Sequence, residues 1–466
     1  MNEKRKLKSI FVGGLFGRFD YNIDFMLEGK RINEITIITA PNGYGKSTVL
    51  QIIDDFVSGN YYRLARKTFH QLILQANDGL GVMIERQDET HEEIEKNEFI
   101  LKFSSLLNGK ISNGFGEWSY KVEAADRNEL EDEQGNQRRS DVSLNIDRFV
   151  DRVLGLRKVG LREWRDPNSG RTFSRDQIIV LYNERRTANA GRGEPTWLTE
   201  LRRSLSVLYI SANRLRIDQE YQAQRRSRSS EKVELISEIV LEQIRSFNQS
   251  YAEAGRRLEQ DFPTRVIEAL ALGSKHSVTE SEVAKLIEKV RNREGDYQRL
   301  GLLRDGQTAS VKKFPEDKSA LIVLNTYLQD IEKKLASLED VVNRLKLFVE
   351  TLNSMLLFKN LKLDPDAGID VVGDDLKVIP LKSLSSGEQH LIVLLGELIF
   401  ESINVTTVLL DEPEISFHPE WQEAFPNVLE KIVMLNGCMI VMATHSPTLI
   451  GDSWDSVVEL ADQVRN

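Results

Sequence analysis

One cysteine, Cys438, in 466 residues excludes a disulfide framework. It lies in the apolar run GCMIVMA and reads as a buried thiol, suited to a reducing compartment. Long apolar runs are lacking too: LIVLLGELIF is interrupted by Glu397, and no stretch approaches membrane-spanning length. The opening MNEKRKLKSIF has no apolar signal-peptide core, so a cytoplasmic chain with no membrane partner is expected. The middle of the sequence shows no acidic pair with DxD spacing, no His-Asn-His set and no Cys-His zinc cluster, and no nuclease activity is expected of it. With 40% hydrophobic residues the chain can build a sizeable core, and its length allows two or three domains.

Charge of one sign is also locally scarce. The net charge is −10, yet from Arg152 to Arg228 there are 17 Lys plus Arg against 8 Asp plus Glu. A solvated insertion pairing with the acidic stretch Glu123 to Asp132 or with a neighbouring subunit would explain this. A surface for DNA or for an acidic, DNA-like protein would explain it equally well.

The stretch ITIITAPNGYGKSTVLQII, residues 35 to 53, reads as a strand, a glycine-rich turn and a helix. The run Ile35 to Ile38 is β-branched throughout, and Val49, Leu50, Ile52 and Ile53 give the helix an apolar face. The turn holds Asn42, Gly43, Tyr44, Gly45, Lys46, Ser47 and Thr48, with Ala40 where the phosphate-loop pattern has its first Gly. Gly43 and Gly45 let backbone N–H groups converge on phosphate, aided by the positive end of the helix. Lys46 would reach the outer phosphates, and Ser47 would complete a Mg²⁺ shell.

Three further stretches lie near the other end. LKSLSSGEQHLIVLLGELIF opens a helix with Ser385, Ser386, Gly387 and Glu388 at its start. VTTVLLDEPEISFHPEWQ ends a short strand in Asp411 and Glu412, and GCMIVMATHSP ends another just before His445. A strand-end Asp beside a phosphate loop can hold Mg²⁺ through water, and the adjacent Glu can deprotonate the attacking water. His445 could contact the γ-phosphate or steady that water.

These motifs together resemble the ATPase head of the ABC superfamily: phosphate loop at 40–47, signature at 384–388, acidic strand at 408–412, switch histidine at 445. The resemblance implies an α/β head, with a mixed sheet around a P-loop core and an antiparallel lobe, carrying a helical, coiled-coil-like insertion. It implies ATP and Mg²⁺ as ligands, and head-to-head dimers in which Ser385, Ser386, Gly387 and Glu388 act on the ATP of the opposite subunit. Lys46 and Leu384 stand 338 residues apart, far more than in a transporter ATPase. LSSGEQ with DEPEISFHP and ATHSP is similar to the RecF-like and OLD-like branch. FVGGLFGRFDYNIDF resembles the first hairpin of that branch, with Gly17, Arg18 and Phe19 at the edge of a base pocket.

About twenty residues follow His445, too few for the TOPRIM nuclease domain that OLD-like proteins carry there. In organisation and length the chain resembles AriA, the ATPase family of the PARIS anti-phage system; PtuA of Septu and retron systems, partnered with an HNH nuclease, is the near alternative. The resemblance to AriA implies a ring-like, hexameric homo-oligomer that holds a separate TOPRIM effector until a phage trigger protein appears. A RecF-like DNA-repair ATPase is the alternative from another functional class.

The expected organisation is residues 1–125 for the first part of the head, 126–228 for an Arg-rich insertion, 229–362 for a helical arm and 363–466 for the rest of the head. Residues 71 to 124 read as strands, with a hairpin at Asn77-Asp78-Gly79. SVLYISANRLR, residues 206–216, reads as a strand returning to the ATPase sheet, with Arg214 or Arg216 near the nucleotide. From Leu324 to Leu356 apolar residues alternate at steps of four and three, a heptad seam that predicts one rod of about 50 Å. With an earlier helix through Val233, Ile236, Val240, Phe247, Tyr251 and Leu258 it predicts an antiparallel hairpin, residues 263–315 at its far end. An ordinary helical subdomain would read the same way.

Overall fold

The computed structural model describes residues 5–26, 34–88, 99–111, 117–121, 157–158, 163–165, 172–174, 194–212, 232–272, 278–303, 317–415, 417–451 and 454–464. Strands β1 (Leu7–Leu15), β2 (Phe19–Asp24) and β3 (Ile35–Thr39) precede α1 (Lys46–Val57) and the short α2 (Tyr61–Ala65). Next come β4 (Gln71–Ala76), β5 (Leu80–Asp88), β6 (Phe99–Leu107), β7 (Lys110–Ile111) and β8 (Glu117–Lys121). Three short strands, β9 (Arg157–Lys158), β10 (Glu163–Arg165) and β11 (Thr172–Ser174), come before α3 (Thr196–Ser204) and β12 (Val207–Ile210). Helices α4 (Lys232–Leu272), α5 (Glu280–Arg299), α6 (Lys318–Ala336) and α7 (Glu339–Met355) follow. After them stand β13 (Lys359–Asp364), β14 (Gly368–Gly373), β15 (Val378–Ile379) and α8 (Ser386–Gly396). Last come β16 (Thr407–Asp411), α9 (Pro419–Asn436), β17 (Met439–Ala443), α10 (Pro447–Ile450) and β18 (Val457–Glu459).

These elements form two compact units. The first comprises Met1–Ser229, Asn404–Ile415 and Gly437–Asn466. Its central sheet, ordered β12-β16-β17-β3-β18, is parallel throughout. Every residue of β16 and β17 is buried, which is why both read as continuous apolar runs: a parallel strand is covered on both faces. β12 pairs with β16 from Val207↔Thr407 onward, so residues 207–210 join the parallel sheet. Arg214, Arg216 and the acidic stretch 123–132 lie outside the described residues, as does most of the Arg-rich segment. An antiparallel sheet, β2-β1-β4-β5-β6-β7 with β8 also on β6, forms the expected lobe. Ile10, Leu72 and Phe103 of that sheet share one core with Val49 and Ile53 of α1 and with Leu409 and Val441 of the parallel sheet.

The far end of the phosphate-loop helix is held by an ion pair. Arg202 donates to the Val57 carbonyl at 2.8 Å and to both carboxylate oxygens of Glu194 at 2.6 and 2.7 Å. Burial alone would raise the Glu194 carboxyl, but the hydrogen bonds from Arg202 and Tyr61 outweigh it and hold the group below its ordinary range.

The second unit comprises Ser230–Ile403 and Ser416–Asn436. α4 runs antiparallel to α6, since Tyr251 meets Lys334 whereas Phe262, further along α4, meets Tyr327, earlier in α6; Arg265 also pairs with Asp330. The arm differs from the expected two-helix hairpin in three ways. α4 continues through Pro263 to Leu272. α5 lies alongside α6 in the same direction, with Val283 packed on Leu321 and Leu328, and Tyr297 donating to the Leu335 carbonyl. The expected single rod is broken between Ala336 and Glu339. There the Ser337 hydroxyl turns back to the Lys334 carbonyl, a local bond that competes with helix continuation. Leu335 and Leu338 stay buried on either side, so the seam survives although the rod does not.

Gly396, at the end of α8, touches α4 so closely that a Cβ would lie 2.4 Å from Ile236 Cγ2. Ile is stiff at χ1 and cannot swing aside cheaply. Gly396→Ala should therefore lower stability by about 1–2 kcal/mol despite the gain in helix propensity, measurable as a lower thermal midpoint.

Candidate nucleotide site

In the first unit, Asp411 and Glu412, Thr444 and His445, and the phosphate loop all follow the carboxyl ends of adjacent parallel strands, β16, β17 and β3. In open α/β sheets that is the edge where ligands bind. The loop turns on two left-handed glycines, Gly43 (φ 86°) and Gly45 (φ 87°). A Cβ on Gly45 would stand 2.8 Å from Leu15 Cδ2 and 3.0 Å from the Phe16 ring, whereas a Cβ on Gly43 would meet nothing within 4 Å. The loop is thus packed behind Gly45 and open at Gly43. No side chain caps α1, which leaves its positive N-terminal end for an anion.

An aromatic stack fixes the loop. The Tyr21 hydroxyl donates to the Tyr44 carbonyl at 2.8 Å. Burial, then the neighbouring Tyr44, pushes the Tyr21 hydroxyl up to about 12, so it stays a donor. The Phe19 ring stacks on Tyr21 (5.7 Å) and on Tyr44 (5.3 Å), the Arg18 guanidinium lies 5.6 Å from its centroid, and the side chain is buried, so it is already engaged within the fold. Of the base-pocket edge expected at residues 17–19, Gly17 and Arg18 remain exposed, together with Phe16.

Lys46 is buried and donates to the Ala40 carbonyl at 3.0 Å while contacting His445 Nε2. Burial lowers its pKa, and the carboxylates of Glu412, Asp411, Glu414 and Glu459 act against that shift. The Ser47 hydroxyl donates to Asp411 Oδ1 at 2.8 Å, and the Tyr209 hydroxyl donates to Asp411 Oδ2 at 3.2 Å. Burial raises the Asp411 carboxyl; these two bonds and Lys46 offset the rise in part. A buried carboxylate beside a serine hydroxyl is a hard-oxygen donor set, and it fits a Mg²⁺ ion that takes its other ligands from phosphate and water. Among the described residues there is no group of three or more His, Cys, Asp or Glu that could hold a metal ion.

Glu412 takes the left-handed region (φ 43°), rare for such a side chain. Its N–H donates to the Ala443 carbonyl at 2.9 Å, and its Oε1 lies 3.7 Å from His445 Nε2. Two residues escaped the sequence reading. Tyr209 carried no motif; its place follows only from the pairing of β12 with β16. Glu414 accepts from Thr444 Oγ1 at 2.7 Å and from the His445 N–H at 2.8 Å, clamping the turn that carries His445. Its position three residues after Asp411 was the available signal.

The signature turn belongs to the second unit. Ser385 caps α8 in a capping box: its hydroxyl accepts from the Glu388 N–H at 3.3 Å, and Glu388 Oε2 accepts from the Ser385 N–H at 2.9 Å. Glu388 Oε1 also pairs with Lys359 at 2.6 Å. Although burial would raise the Glu388 carboxyl, these bonds bring it below its ordinary range. Gln389 donates to the Leu384 carbonyl at 3.0 Å and to the Lys382 carbonyl at 3.1 Å, tying down the turn.

Fold and site define an α/β P-loop ATPase head with a long helical insertion. More particularly, the AAA ATPase domain family matches residues 16–450, and the chain belongs to that family. No curated protein matches the chain. Among solved structures, it is similar to the Smc head domain with an extended coiled coil, bound to the C-terminal domain of ScpA, from Pyrococcus furiosus. That alignment has 12% identity, covers 98% of this chain and 93% of that one, and has a TM-score of 0.33. An SmcHead bound to the C-winged helix domain of ScpA aligns with 8% identity, covering 97% and 93%, TM-score 0.32. The SMC head domain from Thermotoga maritima aligns with 11% identity, covering 97% and 94%, TM-score 0.31. Among the described residues, no helix is long and apolar enough to cross a membrane.

Proposed function

We propose that the chain binds ATP with Mg²⁺, hydrolyses it, and uses the cycle to close and open a head-to-head pair of copies. The observation carrying this reading is the convergence of Lys46, Ser47, Asp411, Glu412 and His445 at one edge of the parallel sheet. The loop amides and Lys46 hold the phosphates once Lys46 exchanges its present contacts for them. Ser47 and Asp411 would hold the Mg²⁺. Bound there, Mg²⁺ would supply positive charge that offsets the charge of the phosphates. Glu412 takes a proton from the water that attacks the γ-phosphorus, the bond to the ADP oxygen breaks, and His445 steadies that water and the γ-phosphate. Ser385, Ser386 and Gly387 of a second copy complete the γ-phosphate shell, while Glu388 holds their turn in shape.

Removing the clamp separates its role from binding. Glu414→Ala frees the Thr444 hydroxyl and the His445 N–H, so the turnover number should fall roughly tenfold or more through misplacement of His445. ATP affinity should change little, and the split is read from steady-state kinetics beside equilibrium binding.

The biological output we propose is that of a sensor and scaffold in an anti-phage system. It holds a separate TOPRIM nuclease and releases it when a phage trigger shifts the ATP-closed state. The motif set and its spacing support this through their likeness to that family. The test is a pull-down of the tagged Glu412→Gln chain from cells carrying its native neighbouring genes. A multi-subunit assembly containing a nuclease-like protein supports the scaffold. A bare dimer retaining only ATP or DNA favours a RecF-like repair clamp instead.

A further inference from the structure

Four apolar side chains stand in solvent at one end of the β13–β14–β15 sheet: Leu357 (65% exposed), Phe358 (78%), Leu376 (82%) and Val378 (58%). Register puts them together. Lys359, the first residue of β13, lies opposite Gly373, the last of β14, so Phe358 and the turn carrying Leu376 share that end. Val378 pairs with Val372 just beyond the turn. Phe358 and Leu376 both have φ of 59°, in the left-handed region that bulky side chains disfavour. A Gly or Asn would sit there more easily, and burial in their own unit does not explain apolar residues this exposed. Strain combined with exposure points to a covering surface.

The patch is continuous with the signature turn. Leu357 also lines an open depression of about 520 Å³ with Ser385, Gly387, Glu388, Phe417 and Trp421. Lys359, next to Phe358, is the residue paired with Glu388. Around the sheet end the exposed charges are Asp374, Asp375 and Lys377; Lys377 pairs with Asp375 at 3.0 Å, which leaves one carboxylate in excess. The first unit carries a surface of matching character beside its phosphate loop: Phe16 is 43% exposed, also in a left-handed conformation (φ 56°), and exposed Arg18 follows two residues later.

We propose that this sheet end is a docking surface for a second copy of the chain, taking that copy's Phe16–Arg18 edge, with apolar contact at the centre and Arg18 against the Asp374–Asp375 rim. The inference rests on the head-to-head reading above and says which surface, beyond the signature turn itself, holds the two copies together.

The test uses the full-length Glu412→Gln chain with Mg²⁺-ATP as parent, and adds Phe358→Asn with Leu376→Asn. Asn tolerates the left-handed region, so these changes remove the apolar contact while relieving the backbone. Sedimentation equilibrium should show ATP-dependent dimerisation weakened roughly tenfold or more, while ATP affinity per chain stays the same and the thermal midpoint stays equal or rises. Arg18→Asp should weaken the dimer as well, and Asp374→Arg added to it should restore part of the loss. A parent that dimerises and an Asn variant that dimerises equally tightly overturn this surface and leave the head-to-head reading intact. Failure of the charge exchange to restore any affinity overturns the Phe16–Arg18 edge as its occupant. A parent that does not dimerise with ATP overturns both proposals.

Discussion

Glu412→Gln should reduce ATP hydrolysis by about 10²–10⁴-fold, the span of general-base catalysis, while leaving ATP binding close to that of the unaltered chain. The substitution keeps the size and planar shape of the side chain but removes its capacity to take a proton. The bond from the Glu412 N–H to the Ala443 carbonyl across the sheet edge does not depend on the carboxylate and is kept, while the 3.7 Å contact of Oε1 with His445 loses its charge. The substitution spares the binding groups: Lys46, Ser47 and Asp411 make their contacts without the Glu412 carboxylate, apart from the Coulombic support that it gives the Lys46 ammonium. The check is a pair of measurements on one preparation, steady-state phosphate release and titration with labelled ATP. A variant that keeps more than about a tenth of the activity would remove Glu412 from the role of base.

Lys46→Ala should have the opposite profile, with ATP affinity falling at least a hundredfold and hydrolysis lost through lack of binding, since a charge-assisted bond to phosphate in a partly dry site is among the stronger polar contacts. The geometry sharpens this expectation. Lys46 is 5% exposed and lies at the loop next to the Ala40 carbonyl and His445.

 Without its ammonium, the carboxylates of Asp411, Glu412 and Glu414 would repel an incoming triphosphate more strongly. Lys46→Arg keeps the charge but cannot fit the same narrow approach, so it should restore little of the affinity. Isothermal titration with Mg²⁺-ATP measures both variants. Retention of near-native affinity in Lys46→Ala would place the nucleotide elsewhere on the molecule.

Much of this site could be read from the residues, because its chemistry is local in sequence. The strand, turn and helix of residues 35–53 carry their own period and their own glycines, β17 is apolar throughout, and β16 runs apolar from Val408 to Leu410 before Asp411. The turn at residues 77–79 was equally legible from its turn chemistry, whereas the first hairpin was read only from its resemblance to the RecF-like and OLD-like branch. The missing parts depend on partners distant in the chain. Tyr209 meets Asp411 across a sequence gap of 202 residues, and no periodicity encodes such a meeting. Phe19 looked available to a base until its stacking on Tyr21 and Tyr44 was seen.

The helical arm shows another limit. A heptad seam records which side chains face inward, and it held across Leu335 and Leu338. It does not record whether the backbone between them stays helical, and the helix ends at Ala336 and restarts at Glu339. Likewise, Pro263 reads as a helix end, yet α4 passes through it, its packing against α6 continuing at Arg265 and Asp330.

The measurement that bears most directly on the central claim is native mass spectrometry of the full Glu412→Gln chain with and without Mg²⁺-ATP. The account predicts a species of two chains carrying two ATP molecules, formed only when nucleotide is present. Single chains that carry ATP without pairing, or pairs that form equally well without nucleotide, would contradict it.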